Sequence, residues 1–277
     1  MNVYEFAQEL IRDSGAFIRT RMSKAFQIDQ KSNPNDLVTT VDLETETYIR
    51  NKIKEAYPEH NIVGEEFEAE ITDSAEGYLW VVDPIDGTLN FVHQRENFAI
   101  SIGIYKDGKP YAGLILDVMK DKLFHALHGN GAYVEDKKLE HVKNTHLSES
   151  LIGVSHKWLV REGIKDALIE IVKRSRSPRS LGSAALEYAQ LIEGKIDAAL
   201  FFRLSPWDFF GGMIIGQEVG LITTDLLGRK NEWLKQTSIL AANKTLHEEI
   251  KEITTADERF KETHDAFHKI DKNALSD

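Results

Sequence analysis

Cysteine is absent from this sequence of 277 residues. Without thiols the chain cannot form disulfide bonds, a cysteine-ligated zinc site or a thiol nucleophile. No apolar run approaches the roughly 20 residues that a membrane-spanning helix needs. The first residues, Met1 to Glu5, also lack the apolar core of a signal peptide, so we expect a cytoplasmic protein with no membrane partner.

The chain also lacks an excess of positive charge, because its 45 aspartate and glutamate residues outnumber its 34 lysine and arginine residues and the formal net charge is −11. Proteins that bind nucleic acids usually present a basic face to the phosphate backbone, so this composition argues against a nucleic-acid partner. It does not exclude a small anionic substrate, since bound cations reverse the local field in an acidic site.

Apolar residues are plentiful, at 42% of the chain, and suffice for a sizeable core. Their pattern predicts helices first, then an antiparallel meander, and then alternating strands and helices in the second half. We expect an N-terminal α+β lobe over residues 1–145 and a C-terminal α/β lobe over residues 146–277, joined in one compact unit. The polar segment from Lys261 to Asp277 predicts a mobile tail.

The most informative segment is the run DPIDGT at residues 83–88, which directly follows a short apolar strand. Proline and glycine favour a tight turn, and Gly87 permits close backbone approach. Such a turn can direct Asp83, Asp86 and the Ile85 carbonyl to one place, where hard oxygen ligands suit Mg²⁺. The alternative is structural, because Asp-Pro and Asp-Gly are also ordinary turn dipeptides.

Two further acidic positions lie beside predicted strand ends or turns. Glu65 follows an apolar pair, although Gly-Glu-Glu also suits a solvated loop. Asp208 follows Pro206-Trp207 where a helix is predicted, so its alternative role is that of a helix N-cap. Clustered with Asp83 and Asp86, these carboxylates would repel one another unless cations joined them. The hypothesis is a site with Mg²⁺ ions that hydrolyses its substrate by two-metal chemistry.

The order of these motifs resembles the inositol monophosphatase family over nearly the whole chain. The DPIDGT run is highly specific, whereas GEE at 64–66 and WD at 207–208 are specific only in its company. The resemblance implies a layered αβαβα sandwich, dependence on two or three Mg²⁺ ions, lithium sensitivity and often a homodimer. Further matching positions are Lys31, Asp36, Asp42, residues 179–185 and residues 241–243.

The resemblance also implies two sets of metal ligands. Glu65, Asp83 and the Ile85 carbonyl would hold one Mg²⁺. Asp83, Asp86 and Asp208 would hold another.

Catalytic and binding roles follow from the same resemblance. Glu65 and Thr88 would position the attacking water, and Asp42 would support Thr88. The Gly87 and Thr88 amides would bind phosphate. The remaining substrate contacts are Ser183 and Ala184 along the ring, together with Asp86, Arg203 and Lys31.

The sequence departs from the family pattern on the strand before the Trp-Asp motif. Inositol-specific members tend to place a carboxylate there for the ring hydroxyls, and Phe201 occupies the expected position. Arg203 would favour a second phosphate on the substrate, or is a surface charge. We therefore expect Mg²⁺-dependent hydrolysis of a small phosphate monoester, first of all inositol monophosphate.

Several alternatives remain at this point. Within the enzyme class, the substrate would be the 2′-phosphate of NADP(H) or fructose 1,6-bisphosphate. An alternative of a different class is a non-catalytic protein that binds metal or phosphate. A third is a structural protein with acidic turns, which would gain no thermal stability from metal ions.

Overall fold

The computed structural model describes residues 1–30, 37–67, 76–232 and 234–269. None of the helices in this part of the chain combines the length and hydrophobicity that a bilayer crossing requires. The helices are α1 (Val3–Met22), α2 (Thr40–Ala56), α3 (Thr88–His93), α4 (Lys165–Arg174), α5 (Ala184–Ile192), α6 (Pro206–Glu218), α7 (Lys244–Ala256) and α8 (Glu258–Lys269). The strands are β1 (Ile28–Gln30), β2 (Leu37–Thr39), β3 (Asn61–Gly64), β4 (Tyr78–Asp86), β5 (Ala99–Lys106), β6 (Lys109–Asp117), β7 (Lys122–Leu127), β8 (Ala132–Val134), β9 (Lys137–Lys138), β10 (Leu151–Val154), β11 (Ser177–Arg179), β12 (Ala198–Leu204), β13 (Ile222–Thr224) and β14 (Thr237–Ala242).

The chain divides into two compact units. Unit 1 begins with Met1–Glu140, which ends close to the lobe boundary expected at residue 145. It also includes two later segments, Gly182–Ala189 and Trp207–Glu218, which the sequence assigns to the C-terminal lobe. Unit 2 comprises His141–Leu181, Gln190–Pro206 and Val219–Asp277.

Unit 1 is built on a seven-stranded sheet with the order β3-β4-β5-β6-β7-β8-β9. Strand β3 runs parallel to β4, and every following pair is antiparallel, which confirms the predicted meander. Strands β5 and β6 are joined by the two-residue turn Asp107-Gly108, where φ is 50° and 71°. Two successive positive φ angles suit a tight hairpin turn, because its twist matches that of the strands.

Helices α1 and α2 pack against each other, α1 also against β6 and α2 against β4. Both helices begin with a capping box, formed by Asn2 and Glu5 in α1 and by Thr39 and Asp42 in α2. Reciprocal hydrogen bonds of this kind satisfy amides that have no partner inside the helix. The core beneath them includes the fully buried side chains of Ile11, Ile18, Ile49, Ile53, Trp80, Phe91 and Phe98.

Unit 2 contains a five-stranded sheet with the order β11-β10-β12-β14-β13. Strand β10 is parallel to β11 and β12, whereas β14 is antiparallel to β12 and β13. Helices alternate with these strands along the chain, as the sequence predicts. The core of this unit includes Ile152, Leu168, Leu200, Leu240, Leu246, Ile250 and Phe260.

Helix α8 corrects the prediction of a mobile polar tail from Lys261 onward. Residues 258–269 are helical, and Phe260 and His264 are 0% and 1% exposed. Phe260 lies edge-on to Phe202, with ring centroids 6.2 Å apart. The segment carries a sparse apolar face at helical spacing, and burial of those few side chains stabilises the helix although most of its residues are polar. Residues 270–277 lie outside the described part of the chain.

The burial of Phe260 generates a stability prediction. Because the ring is 0% exposed, Phe260→Ala should lower the free energy of unfolding by about 3–5 kcal/mol. The measurement is equilibrium unfolding in urea. Val160→Ala is the control, since that side chain is 75% exposed and its truncation should cost about 0.5 kcal/mol or less. Equal midpoints for the two variants would contradict the packing of α8.

Candidate active site

Three carboxylates meet within unit 1. Asp83, Asp86 and Asp208 each offer one ligand oxygen, and these oxygens all lie within 4.8 Å of one another. Asp83 is 1% exposed, Asp86 is 8% exposed and Asp208 is partly buried. The structure therefore brings together three of the four carboxylates that the sequence analysis expected to cluster.

A bulge in strand β4 explains why Asp83 and Asp86 reach the same place. Residues three apart on a regular strand point to opposite faces of the sheet. Here Asp83 pairs with Ser101 and Asp86 with Ala99, so β4 contains one residue more than β5 over this interval. The extra residue returns both carboxylates to one face, as bulges beside active sites commonly do. Pro84 has no N–H to lose from the ladder at this point.

Backbone amides hold the two aspartates of the bulge in place. Asp83 Oδ1 accepts the Ile85 N–H at 3.0 Å, which closes a local Asx turn. Asp86 accepts the amides of Ala184 at 3.2 Å and of Ala185 at 2.7 Å, and also the Ser183 hydroxyl. Helix α5 thus presents its first amides to a carboxylate, the charge that a helix N-terminus favours.

Helix α6 supplies Asp208 from its first turn. The sequence alternative of a helix N-cap is wrong, because the helix begins at Pro206 and Asp208 already has helical geometry. Proline is favoured at the first helical position, where a missing N–H costs nothing. Phe210 and Gly211, one turn later, lie against the backbone and side chains of β5 at Gly103 and Ser101.

The turn after β4 leads directly into helix α3. Gly87 precedes that helix with φ 95° and ψ 42°, a left-handed conformation that favours glycine. A Cβ at this position would lie 3.1 Å from Ser183 Cβ and 3.3 Å from the carbonyl oxygens of Asn97 and Gly182. Glycine is therefore needed both for the backbone angle and for the close approach of the neighbouring segments.

Thr88 and Asp42 lie together, as the sequence analysis expected. The Thr88 hydroxyl lies 3.4 Å from Asp42 Oδ1 and 3.2 Å from the Ile85 carbonyl oxygen. Asp42 is fully buried, and its Oδ2 accepts the Thr39 N–H at 2.9 Å and the Thr39 hydroxyl. Thr39 was not predicted from the sequence, although its spacing to Asp42 resembles the capping-box signature.

Glu65 lies in the loop after β3, outside the group of three carboxylates. Its charge nevertheless acts on that group. Burial and the charge of Glu65 raise the pKa of Asp83 well above its ordinary value. Burial also raises the pKa of Asp86 to about 6, although the Ser183 hydroxyl and the α5 amides oppose this shift. The carboxylates are thus poorly suited to carry full negative charge without a cation.

Comparison with known proteins decides the family. The chain matches the inositol monophosphatase family over residues 1–258. The inositol-1-monophosphatase of Bacillus subtilis (strain 168) is 44% identical over 250 residues, which cover 90% of this chain and 94% of that protein. The chain belongs to the inositol monophosphatase family.

Solved structures of SaIMPase-II from Staphylococcus aureus agree with this assignment. The form bound to inositol monophosphate is 44% identical, with a TM-score of 0.84 over 96% of both chains. The form bound to 2′-AMP is 43% identical, with a TM-score of 0.87 over 95% of this chain and 98% of that one. The fold class predicted from the resemblance is confirmed, and the protein is a phosphoric monoester hydrolase.

The donor set fits Mg²⁺, on which the inositol monophosphatases depend. The three converging side chains offer only carboxylate oxygens, and the Ile85 carbonyl lies between two of them in the chain. Such hard oxygen donors suit Mg²⁺ better than they suit softer metals. The raised pKa values of Asp83 and Asp86 indicate the same need for positive charge.

Two further positions singled out in the sequence, Phe201 and Arg203, lie in unit 2. Arg203 belongs to unit 2, has φ 58° and places Nε 3.4 Å from Gln236 Oε1. Phe201, which stands where the family pattern expects an acid, is 9% exposed on β12. Lys31 and Asp36 lie outside the described residues.

The raised pKa values lead to a prediction on pH. The folded pKa of Asp86, about 6, exceeds its ordinary value of 3.8, so the stability that its protonated form contributes is complete below 3.8 and lost as pH rises through 6. Mg²⁺ binds the ionised carboxylates and should restore stability chiefly above that pKa. We expect MgCl₂ to raise Tm more at about pH 7.5 than at about pH 5. NaCl at matched ionic strength is the control, and an equal Mg²⁺ effect at both pH values would contradict the assignment.

Proposed function

We propose that this phosphatase hydrolyses inositol monophosphate to inositol and phosphate with the help of Mg²⁺. The observation that carries the proposal is the convergence of Asp83, Asp86 and Asp208 next to the Gly87–Thr88 turn. A phosphate at this point can contact both cations and backbone amides. Further support comes from the Bacillus subtilis inositol-1-monophosphatase and from SaIMPase-II bound to inositol monophosphate.

The proposal keeps the two ligand sets expected from the sequence. Glu65, Asp83 and the Ile85 carbonyl would hold one ion, and Asp83, Asp86 and Asp208 another, with two or three ions in total. When bound, Mg²⁺ supplies positive charge that polarises the phosphoryl oxygens and stabilises the leaving alkoxide. Little covalent chemistry then remains for the side chains, whose task is to bind and orient.

Thr88 and Glu65 are the residues that we propose to orient the attacking water. The contact of the Thr88 hydroxyl with Asp42 supports this role. A hydroxyl that donates its hydrogen bond to a carboxylate can still accept a hydrogen bond from water through its oxygen. Glu65 would accept a hydrogen bond from the other O–H of the same water molecule. Asp42 is in turn held by Thr39, which limits rotation of the Thr88–Asp42 pair.

The phosphate itself would bind to the Gly87 and Thr88 amides at the start of α3. Ser183 and Ala184 remain predicted contacts of the substrate ring. Their hydrogen bonds to Asp86 support a second task, which is to aim this carboxylate at its cation. A hydroxyl can donate to Asp86 and still accept a hydrogen bond from a sugar hydroxyl.

A second candidate substrate is a 2′-phosphorylated nucleotide. Phe201 stands at the position where inositol-specific members tend to place an acid for the ring hydroxyls, and SaIMPase-II is known in a form bound to 2′-AMP. NADP(H) and fructose 1,6-bisphosphate, each with further phosphate groups that Arg203 would attract, belong to the same proposal.

A cytoplasmic location and a homodimer also stay predictions from the sequence.

The substrate assignment is tested by phosphate release from inositol 1-phosphate, 2′-AMP, NADP and fructose 1,6-bisphosphate, each with Mg²⁺ and with EDTA. We expect release that requires Mg²⁺ and is fastest with inositol 1-phosphate. Arg203→Ala should lower the rate on the polyphosphorylated substrates relative to inositol 1-phosphate. If no substrate releases phosphate while Mg²⁺ still raises Tm, the proposal is refuted and the protein is a non-catalytic metal-binding protein.

The ligand assignment is tested by Asp83→Asn. Because Asp83 is assigned to both ions, kcat/KM should fall by more than about a hundredfold. Mutating residues that only hydrogen-bond to metal ligands already lowers activity by about 10- to 100-fold. The rise in Tm on adding Mg²⁺ should disappear as well. Asp121→Asn is the matched control, because that carboxylate is 57% exposed and pairs with Arg19 at the surface. Turnover close to that of the wild type would refute the assignment.

A further inference from the structure

Helix α2 carries a second buried carboxylate, Glu46, beneath the loop that contains Glu65. The Glu46 side chain is 0% exposed. Its Oε2 accepts the Glu66 N–H at 2.7 Å, and its Oε1 accepts Arg50 Nε at 2.7 Å. Glu46 therefore bonds directly to the backbone of the residue that follows Glu65.

Gly64 allows this contact on the other side of Glu65. A Cβ at Gly64 would overlap the Glu46 carboxylate, so only a glycine lets the chain pass so close. The carboxylate thus contacts the chain on both sides of Glu65, at Gly64 by close packing and at Glu66 by a hydrogen bond. This double contact restricts where the loop, and hence the Glu65 backbone, can lie.

The spacing along α2 connects this contact with the other proposed water-orienting residue. Asp42 and Glu46 are four residues apart and lie on the same face of the helix. Asp42 contacts Thr88, while Glu46 holds the loop of Glu65. One helix therefore supplies the support for both residues. That helix is capped by Thr39 and packed through Ile49 and Ile53, which are fully buried.

Burial raises the pKa of Glu46, and the Glu66 amide and the Arg50 guanidinium oppose this shift. Arg50 lies one further turn along α2 and pairs with Glu46 at 2.7 Å, with side-chain exposures of 18% and 0%. Its guanidinium also lies 5.5 Å from the centre of the Phe67 ring, which extends the contact along the loop. An ionised carboxylate can accept both the Arg50 and the Glu66 hydrogens, whereas a glutamine amide has only one acceptor oxygen.

We propose that Glu46 is a positioning residue for catalysis, which acts by holding Glu65 against its cation and the attacking water. The proposal rests on the proposed function, because it assigns the purpose of Glu46 through the role of Glu65. It differs from a general structural role in one respect. If Glu46 acts only by positioning Glu65, a substitution at Glu46 should no longer lower kcat in a variant that lacks the Glu65 carboxylate.

A double-mutant cycle tests this dependence. Glu46→Gln keeps the shape of the side chain and removes one of its two acceptors. We expect it to lower kcat by about 10- to 100-fold with little change in KM. In the Glu65→Gln background, adding Glu46→Gln should lower kcat by about twofold or less, because the effects of residues that act as a unit are not additive. Glu44→Gln is the matched control on the same helix, since Glu44 bonds to Arg21, and its kcat should equal that of the wild type.

Two readouts do not depend on turnover. The rise in Tm on adding MgCl₂ should shrink in Glu46→Gln as it does in Glu65→Gln, and remain unchanged in Glu44→Gln. Hydrogen exchange of the segment 61–67 should quicken in Glu46→Gln, because the Glu66 amide and Arg50 would compete for the one remaining acceptor oxygen. Glu46→Asp, which keeps the charge but shortens the side chain by one methylene, serves as a second variant if Glu46→Gln lowers Tm below the assay temperature.

The outcomes separate the two proposals. Losses that add fully in the double variant, or a wild-type kcat in Glu46→Gln, would overturn the positioning role while the phosphatase stands. A wild-type protein that neither releases phosphate nor gains stability from Mg²⁺ would overturn the proposed function instead.

Discussion

Three carboxylates whose ligand oxygens lie within 4.8 Å of one another repel each other, and burial strengthens that repulsion by lowering the local dielectric constant. A folded chain tolerates such a group when other contacts hold each carboxylate and when protonation or a bound cation neutralises part of the charge. Burial is the largest cause of the raised pKa values of Asp83 and Asp86, and the negative charge of Glu65 raises both further. The surrounding structure of unit 1 can be understood as the means by which these charges are kept together.

The carboxylates reach the site from different kinds of structure. Asp83 and Asp86 come from a strand whose bulge turns both to one face, and Asp208 comes from the first turn of a helix. Backbone amides of helix α5 hold Asp86, and an Asx turn holds Asp83. Helix α2 adds a second layer of support through Asp42 and Glu46. Rigid elements on several sides restrict each ligand more closely than a single loop would.

Much of this site could be predicted from short motifs. The run DPIDGT combines ligands and turn residues within six positions, so its local geometry shows in the sequence. Thr39 was within reach as well, because its capping box with Asp42 has a known spacing. Glu46 was not, since nothing near it in the chain marks it as different from the other acidic residues of α2. Its partner Glu66 lies 20 residues away and meets it only after folding.

The sequence by itself determined the family, the change from helices to an antiparallel meander and then to alternating strands and helices, and the chemical type of the ligands. These properties depend on residue types and on short-range spacing, which a linear chain preserves. Only the tertiary structure decided that Asp208 lies beside Asp83 and Asp86 and that the Ser183 hydroxyl donates a hydrogen bond to Asp86. The same holds for the packed helix at residues 258–269 and for the close contact of Gly64 with the Glu46 carboxylate. The reason is that each of these contacts joins segments far apart in the chain, whose meeting depends on the packing of the whole unit rather than on any local preference.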